Sequence, residues 1–227
     1  MANHLIVSDT QNPYHHEKAL AFAAYLKRHY RIPDENCYHA GDETDSFWGG
    51  MWPKSIETKH TALQELAAMR ESLAEWYAVF PKMKLAESNH GQRWKRKALA
   101  AEIPSQLLIR YRDLLQAPEG WLWKKHWRVD CKFPFLVEHG DDHGGQTPHI
   151  SALMTNGMST AIGHHHSKAG THLVKTNGFT GWGMVVGALI DFNAHAFDYA
   201  RNAKLKPVLG CGVVVDDGRV PIFIPLE

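Results

Sequence analysis

The chain has few cysteines, no long apolar run and almost no net charge. Its 227 residues include three cysteines, Cys37, Cys131 and Cys211, far apart and odd in number. That argues against a disulfide framework and against a thiolate zinc site, and it fits a reducing, cytoplasmic setting. No uninterrupted apolar stretch reaches the roughly 18 residues of a membrane span. The opening "MAN" runs straight into "HLIVS", without a basic region or a long apolar one, so no signal peptide is read. Lys and Arg number 25 against 24 Asp and Glu, a formal charge of +1. This balance gives no electrostatic case for non-specific duplex binding, although it leaves room for a small basic groove. With no repeat, linker or low-complexity tract, residues 1–227 are expected to form a single domain.

Histidine, by contrast, is plentiful, with 16 in the chain and three in a row in "GHHHSKAG" at 163–170. The triplet is internal, so it is no expression tag. A single histidine is more often a surface or hydrogen-bonded core residue than a ligand. The case for His164, His165 and His166 therefore depends on the company they keep.

In the first half, apolar runs of strand character alternate with helical spacing. "HLIVS" (4–8), "CYHAGD" (37–42) and "KMKLAES" (82–88) read as short strands. Leu20, Ala23 and Leu26 predict a helix within 16–30. Leu63, Leu66, Met69, Leu73, Trp76, Tyr77 and Phe80 predict a second over 61–80, closed by Pro81. A third is expected over 105–116. From about residue 121 the chain reads as mostly strand. The expected fold is α/β: two sheets packed together with helices outside.

The polar residues that end these runs carry the chemistry. Asp9 and Gln11 follow the first strand, Asp42 and Asp45 the second, and Asn89 and His90 the third. His139 ends "FPFLVEH", and the histidine triplet ends "MSTAIGH". Sites in α/β sheets form beyond the carboxyl ends of strands. If these ends converge, they gather carboxylates, amides and imidazoles. That oxygen and nitrogen set suits Mn, Fe, Zn or Ni, and it holds too many donors for one ion. A carboxylate shared between two ions would use them all, as in the two-metal clamp of phosphoryl hydrolysis.

The order of motifs, "SDTQ", "GDETD", "SNHG", "EHG" and "GHHH", resembles the calcineurin-like metallophosphoesterases over Asp9 to Gly170. The wording of "SDTQNPYHH", "HAGDETD" and "KPVLGCGVVVD" is similar to small members of that family found in tailed bacteriophages. The resemblance implies the metallophosphoesterase fold, a four-layer α/β/β/α sandwich of two mixed sheets, and two divalent ions, Mn first, with Fe, Zn or Ni as alternatives. It implies that Asp9 and His166 bind the first ion, that Asp42 bridges, and that Asn89, His139 and His164 bind the second, His165 being a spacer. Strand alternation would separate the triplet in the same way. His90 would contact substrate phosphate and assist the leaving group, and Asp45 would orient it; otherwise Asp45 is a helix cap.

Two departures stand out. Gln11 replaces the family's usual histidine, so the first ion is expected to be held more loosely unless His15 or His16 contributes. "SNHG" lacks the carboxylate that usually follows the histidine. Arg93 either reaches a substrate phosphate or is a surface residue. Trp48, Trp52, Trp94, Trp121, Trp123 and Trp127 lie between motifs, and each is either a stacking platform or core. The expected activity is metal-dependent hydrolysis of phosphate esters, favouring diesters, with nucleotides or nucleic-acid ends as substrate and no membrane partner. A phosphomonoesterase and a non-catalytic interaction module are the alternatives.

Overall fold

The computed structural model describes residues 2–50, 61–200 and 202–227. Its strands are β1 (His4–Val7), β2 (Cys37–His39), β3 (Met83–Ala86), β4 (Trp121–Lys124), β5 (His126–Val129) and β6 (Phe135–Glu138). They continue with β7 (Ser159–Ile162), β8 (Gly170–Lys175), β9 (Thr180–Val185), β10 (Gly210–Val215) and β11 (Val220–Pro225). The helices are α1 (Ala19–His29), α2 (Ala62–Val79), α3 (Arg93–Ala100), α4 (Tyr111–Leu115) and α5 (Pro148–Asn156).

One sheet has the order β11-β10-β1-β2-β3-β4 and the other β5-β6-β7-β9-β8. Both are mixed. β1 to β4 run parallel, as do β6, β7 and β9, and antiparallel partners flank each parallel block. Alternation along β1 assigns its faces. Leu5 and Val7 pack with Ala23, Leu26, Met69, Leu73 and Trp76 of α1 and α2. Ile6 packs with Trp127, Val137 and Met184 of the opposing sheet. Ala152 of α5 covers the far side against Ile162 and Val185. The layers are therefore α/β/β/α, and each fully buried Leu, Ile or Met contributes about 1.5–3 kcal/mol.

α2 starts with a capping box. The Thr61 hydroxyl accepts from the Gln64 amide at 3.3 Å, and the Gln64 side chain accepts from the Thr61 amide at 2.9 Å. Its buried stripe is Glu65, Met69, Leu73 and Trp76. Leu63, expected on that stripe, is 79% exposed, and the buried face begins at Glu65. In α1 it is Ala19 rather than Leu20 that joins Ala23 and Leu26 in the core.

Two expectations about helices need correcting. Residues 105–116 hold a short 3-10 turn (Ser105–Leu107), extended backbone at Leu108 and Arg110, and only the five residues of α4. Leu107, Leu108 and Ile109 are adjacent rather than periodic, and Leu107 and Ile109 are exposed, so no continuous stripe exists to dock a helix. In the second half, α5 interrupts the strands. Its signals were Pro148 at the helix start and Gly157, in a left-handed conformation, at its end.

Register brings the strand ends level. Val7 pairs with His39 and His39 with Leu85 in the first sheet, while Glu138 pairs with Ile162 in the second. The polar residues that follow leave from one edge of the sandwich, three groups from one sheet and two from the other. They do not lie side by side in a single sheet. No described helix is long and apolar enough to cross a membrane.

Candidate metal centre

The loops after β1 and β2 run alongside each other. Asp9 N donates to Gly41 O at 3.0 Å, Gln11 N to Asp42 O at 2.8 Å and Asn12 N to Glu43 O at 3.0 Å. These bonds hold Asp9, Gln11 and Asp42 at φ values of 49°, 44° and 57°. His164 joins them at 63°, its amide donating to Asp9 Oδ2 at 2.9 Å. Left-handed backbone at a non-glycine residue costs on the order of 1–2 kcal/mol. Four such residues in one cluster mark a functional site.

Two glycines make room for it. A Cβ on Gly41, at φ 94°, would lie 2.6 Å from His139 Nδ1. A Cβ on Gly163 would lie 1.9 Å from Ser8 Oγ and 2.7 Å from Asp9 Oδ2. The loops of the two sheets approach this closely only because both positions lack side chains.

Two groups of metal-ligating atoms result: Asp9, Asp42 and His166, and Asp42, His139 and His164, the atoms in each within 4.8 Å of one another. Asp42 is common to both. In the first, His166 Nε2 lies 3.0 Å from Asp9 Oδ1 and 3.1 Å from Gln11 Nε2. The Gln11 carbonyl oxygen beside it is buried without a hydrogen-bond partner. In the second, His139 Nε2 lies 2.7 Å from Asn89 Oδ1, 3.2 Å from His164 Nδ1 and 3.4 Å from Asp42 Oδ2. His139 Nδ1 donates to Ala40 O at 2.9 Å, which directs Nε2 into the cluster.

The charges answer one another. Burial would raise both aspartates, but His166 outweighs it at Asp9, and His139 and His90 outweigh it at Asp42. Both carboxyl groups are held below their usual range, Asp42 well below. Burial likewise opposes charge on His139, yet the Asp42 carboxylate prevails and pushes its pKa up to about 10. His166 moves up for the same reason, through Asp9. An unpartnered buried carbonyl, two anionic carboxylates and imidazoles aimed at them form an oxygen and nitrogen donor set of the kind that divalent metal ions take.

His165 borders the same cleft but belongs to neither donor group: its Nε2 donates to His143 O at 2.7 Å. The reason is not strand alternation. β7 ends at Ile162, and a turn with left-handed His164 separates the three rings. Neither His15 nor His16 joins the donors. His15 Nδ1 lies 3.2 Å from Ser72 Oγ and its ring meets Trp76 edge-on, while His16 Nδ1 accepts from the Lys18 amide.

Beside Asp42 stands His90, with its amide on Asp42 Oδ1 at 3.2 Å and its Nε2 3.7 Å from Asp42 Oδ2. Its Nδ1 lies 3.0 Å from Asp45 Oδ1. Asp45 is thus turned to the ring and caps no helix; the 3-10 turn Phe47–Gly49 starts after Ser46. Arg93 is no free surface residue either. It donates to His90 Nε2 at 2.7 Å and to Asp45 O at 2.7 Å. Glu65, an acid within the buried stripe of α2, was not among the expected residues. Its carboxylate accepts from the amides of Phe47 and Trp48 at 2.6 and 3.1 Å, anchoring the loop after Asp45.

A cleft of about 430 Å³ opens over the donors, walled by His90 and Arg93 on the polar side and by Ile190, Phe192, Phe197, Leu205 and Pro207 on the apolar side. None of the described tryptophans lines it. Trp121 and Trp127 are core, Trp123 Nε1 donates to Glu43 at 3.0 Å, and Trp94 stacks on Tyr111. Trp48 Nε1 is buried, and Trp52 lies outside the described residues. The apolar wall was unreadable because "IDFN" and "KLKP" lie far along the chain from the ligand motifs.

No protein-family signature and no curated protein matches the chain in sequence. Among solved structures, that of Vps29 from Chaetomium thermophilum is similar with a TM-score of 0.46 at 9% identity, covering 96% of this chain and 86% of that one.

Proposed function

We propose that the chain is a phosphoesterase working with two divalent metal ions. The observation that carries this reading is that two donor groups share Asp42, with His90 at the same carboxylate. Asp9, Gln11, Asp42 and His166 would hold one ion, and Asp42, Asn89, His139 and His164 the other. When bound, such a pair supplies Lewis acidity that activates water and offsets charge on phosphoryl oxygens.

The chain's own residues do the rest. Asp45 lies beside Nδ1 and orients the His90 ring at the cleft; its Nε2 accepts from Arg93 in this structure and would carry a proton to the leaving oxygen once Arg93 has turned to the phosphoryl group. Arg93 steadies that ring and offers a phosphoryl group a charge-assisted hydrogen bond. The wall of Phe192, Leu205 and Pro207 gives an apolar or aromatic ester group a surface to lie on. This favours a diester, with nucleotides or nucleic-acid ends as substrates.

The test is elemental analysis of the purified protein, together with hydrolysis of bis(p-nitrophenyl) phosphate and p-nitrophenyl phosphate with and without Mn²⁺. We expect two ions per chain and Mn²⁺-dependent turnover, faster on the diester. Bound metal without turnover of either ester would overturn the enzymatic reading in favour of a non-catalytic module.

A further inference from the structure

One face of α3 is cationic and leads away from the metal cleft. Arg93, Arg96, Lys97 and Ala100 stand at i, i+3, i+4 and i+7, a single helix face. With Gly49, Gly50 and Asn89 they line a second cavity of about 660 Å³. Asn89 and Arg93 wall both this cavity and the donor cleft. α3 contains no acidic residue, and Lys95 adds a fourth cation. Arg96 and Lys97 are exposed, and backbone carbonyls hold them in place: Arg96 donates to Asn89 O at 2.8 Å and Lys97 to Trp48 O at 2.9 Å. Among the described residues neither pairs with a carboxylate, although Arg96 also lines a neighbouring cavity that holds Glu87, Glu138, Asp141 and Asp142, so the cationic row is confined to the side that faces Gly49 and Gly50. In a chain whose net charge is +1, this is a local concentration beside the proposed reaction centre.

We infer that this face seats the phosphates that flank the scissile one, and that the substrate is an end of a single-stranded polynucleotide. The inference rests on the phosphoesterase reading, which puts the scissile phosphate over the donors. From there Arg93 begins a row that reaches Lys97 about 6 Å further along the axis, at 1.5 Å per residue. A mononucleotide ester has no second phosphate to follow that row. A polynucleotide has one at every step, and the apolar wall of Phe192, Leu205 and Pro207 remains for its base or sugar. A long duplex would demand a broader basic surface than a nearly neutral chain provides.

The experiment compares the wild type with an Arg96→Gln/Lys97→Gln double variant and an Arg96→Lys/Lys97→Arg control. Binding of fluorescent hexathymidylate and hexauridylate is followed by anisotropy against salt, with Ca²⁺ replacing Mn²⁺. Turnover in Mn²⁺ is measured on the hexamers and on the p-nitrophenyl ester of thymidine 5′-phosphate. Losing two contacts should lower the salt slope by about 1.4 and the hexamer-to-mononucleotide ratio of kcat/KM by about tenfold, while the charge-preserving control retains both. A loss on only one polymer would identify it as DNA or RNA. A double variant with wild-type slope and ratio would overturn the inference, even where bis(p-nitrophenyl) phosphate is still cleaved. A wild type inert on that diester would overturn the phosphoesterase reading, whatever the salt slope.

Discussion

Asn89 Oδ1 lies 2.7 Å from His139 Nε2, although the two residues leave strands of different sheets. The candidate metal centre is therefore a seam. Asp9, Asp42 and Asn89 arrive from one sheet and His139, His164 and His166 from the other, so a cation bound there ties the two halves of the sandwich. Binding to the folded state alone stabilises it by about 2.7 kcal/mol at a hundredfold excess over Kd.

Asp42 is the only residue common to both donor groups. Asp42→Asn should lower metal content at both positions and reduce turnover by at least about 10²-fold. Elemental analysis and a diester assay check it. A variant that kept two ions and wild-type turnover would remove Asp42 from the bridge.

Gly163 is a stricter test of the seam. A methyl group there would sit 1.9 Å from Ser8 Oγ and 2.7 Å from Asp9 Oδ2, so Gly163→Ala must push Asp9 aside. The expected outcome is loss of the ion proposed for Asp9 and His166, and a melting temperature that rises less on adding Mn²⁺ than that of the wild type. Overpacking of this kind costs about 1–3 kcal/mol. Retention of two ions with an unchanged melting temperature would contradict the placement of Asp9.

Much of this centre was legible because ligating residues follow directly on short apolar runs. Asp9, Asp42, Asn89, His139 and the histidine triplet stand at or just past strand ends, which short apolar runs bounded by turn residues locate, while the roles of these residues were what the family resemblance implied. What could not be read depends on contacts distant in sequence. The separation of His165 from its neighbours comes from a left-handed turn, not from pleating. Gln11 could be named as a departure, but its buried, unpartnered oxygen appears only once His166 is beside it. Ile190, Phe192 and Leu205 belong to no periodic element, so nothing local marked them as one wall.

The triplet should separate functionally. His164→Ala and His166→Ala each remove a donor, and each should cost about 10²-fold or more in turnover. His165→Ala removes a hydrogen bond to His143 O and should stay within a few-fold. Steady-state kinetics with matched metal content decide it. Equal losses in all three would mean that the turn presents all three rings to the ions.

The histidines also set a pH dependence. With chelator present, His139 has its pKa raised from 6.5 to about 10 by Asp42, against the effect of burial. A raised histidine contributes stability that is complete below the unfolded value and lost as pH rises through the folded one. The chelated protein should therefore lose stability between pH 6.5 and about 10. A cation must displace that proton, so apparent metal affinity should climb over the same window, with proton release on binding. Calorimetry in buffers of different ionisation enthalpy measures the release. No proton release near neutral pH would show that His139 does not carry the charge.

The two ions should differ in affinity. The first has one imidazole, His166, with Asp9, the shared Asp42 and the neutral carbonyl of Gln11. The second has two imidazoles, His139 and His164, with Asp42 and Asn89. Nitrogen donors add affinity for late first-row ions that an amide oxygen does not match, so the Gln11 position should empty first. Gradual chelation followed by elemental analysis should show a one-ion species, and excess Mn²⁺ should restore the second ion together with turnover. Gln11→His should narrow the gap: position 11 is left-handed, a conformation histidine tolerates better than most residues, and its side chain already ends 3.1 Å from His166 Nε2. His15 and His16 are engaged elsewhere and cannot supply the missing nitrogen without leaving Ser72 and Lys18. Two ions lost together, or a Gln11→His protein with no tighter site, would show that residue 11 does not set the difference.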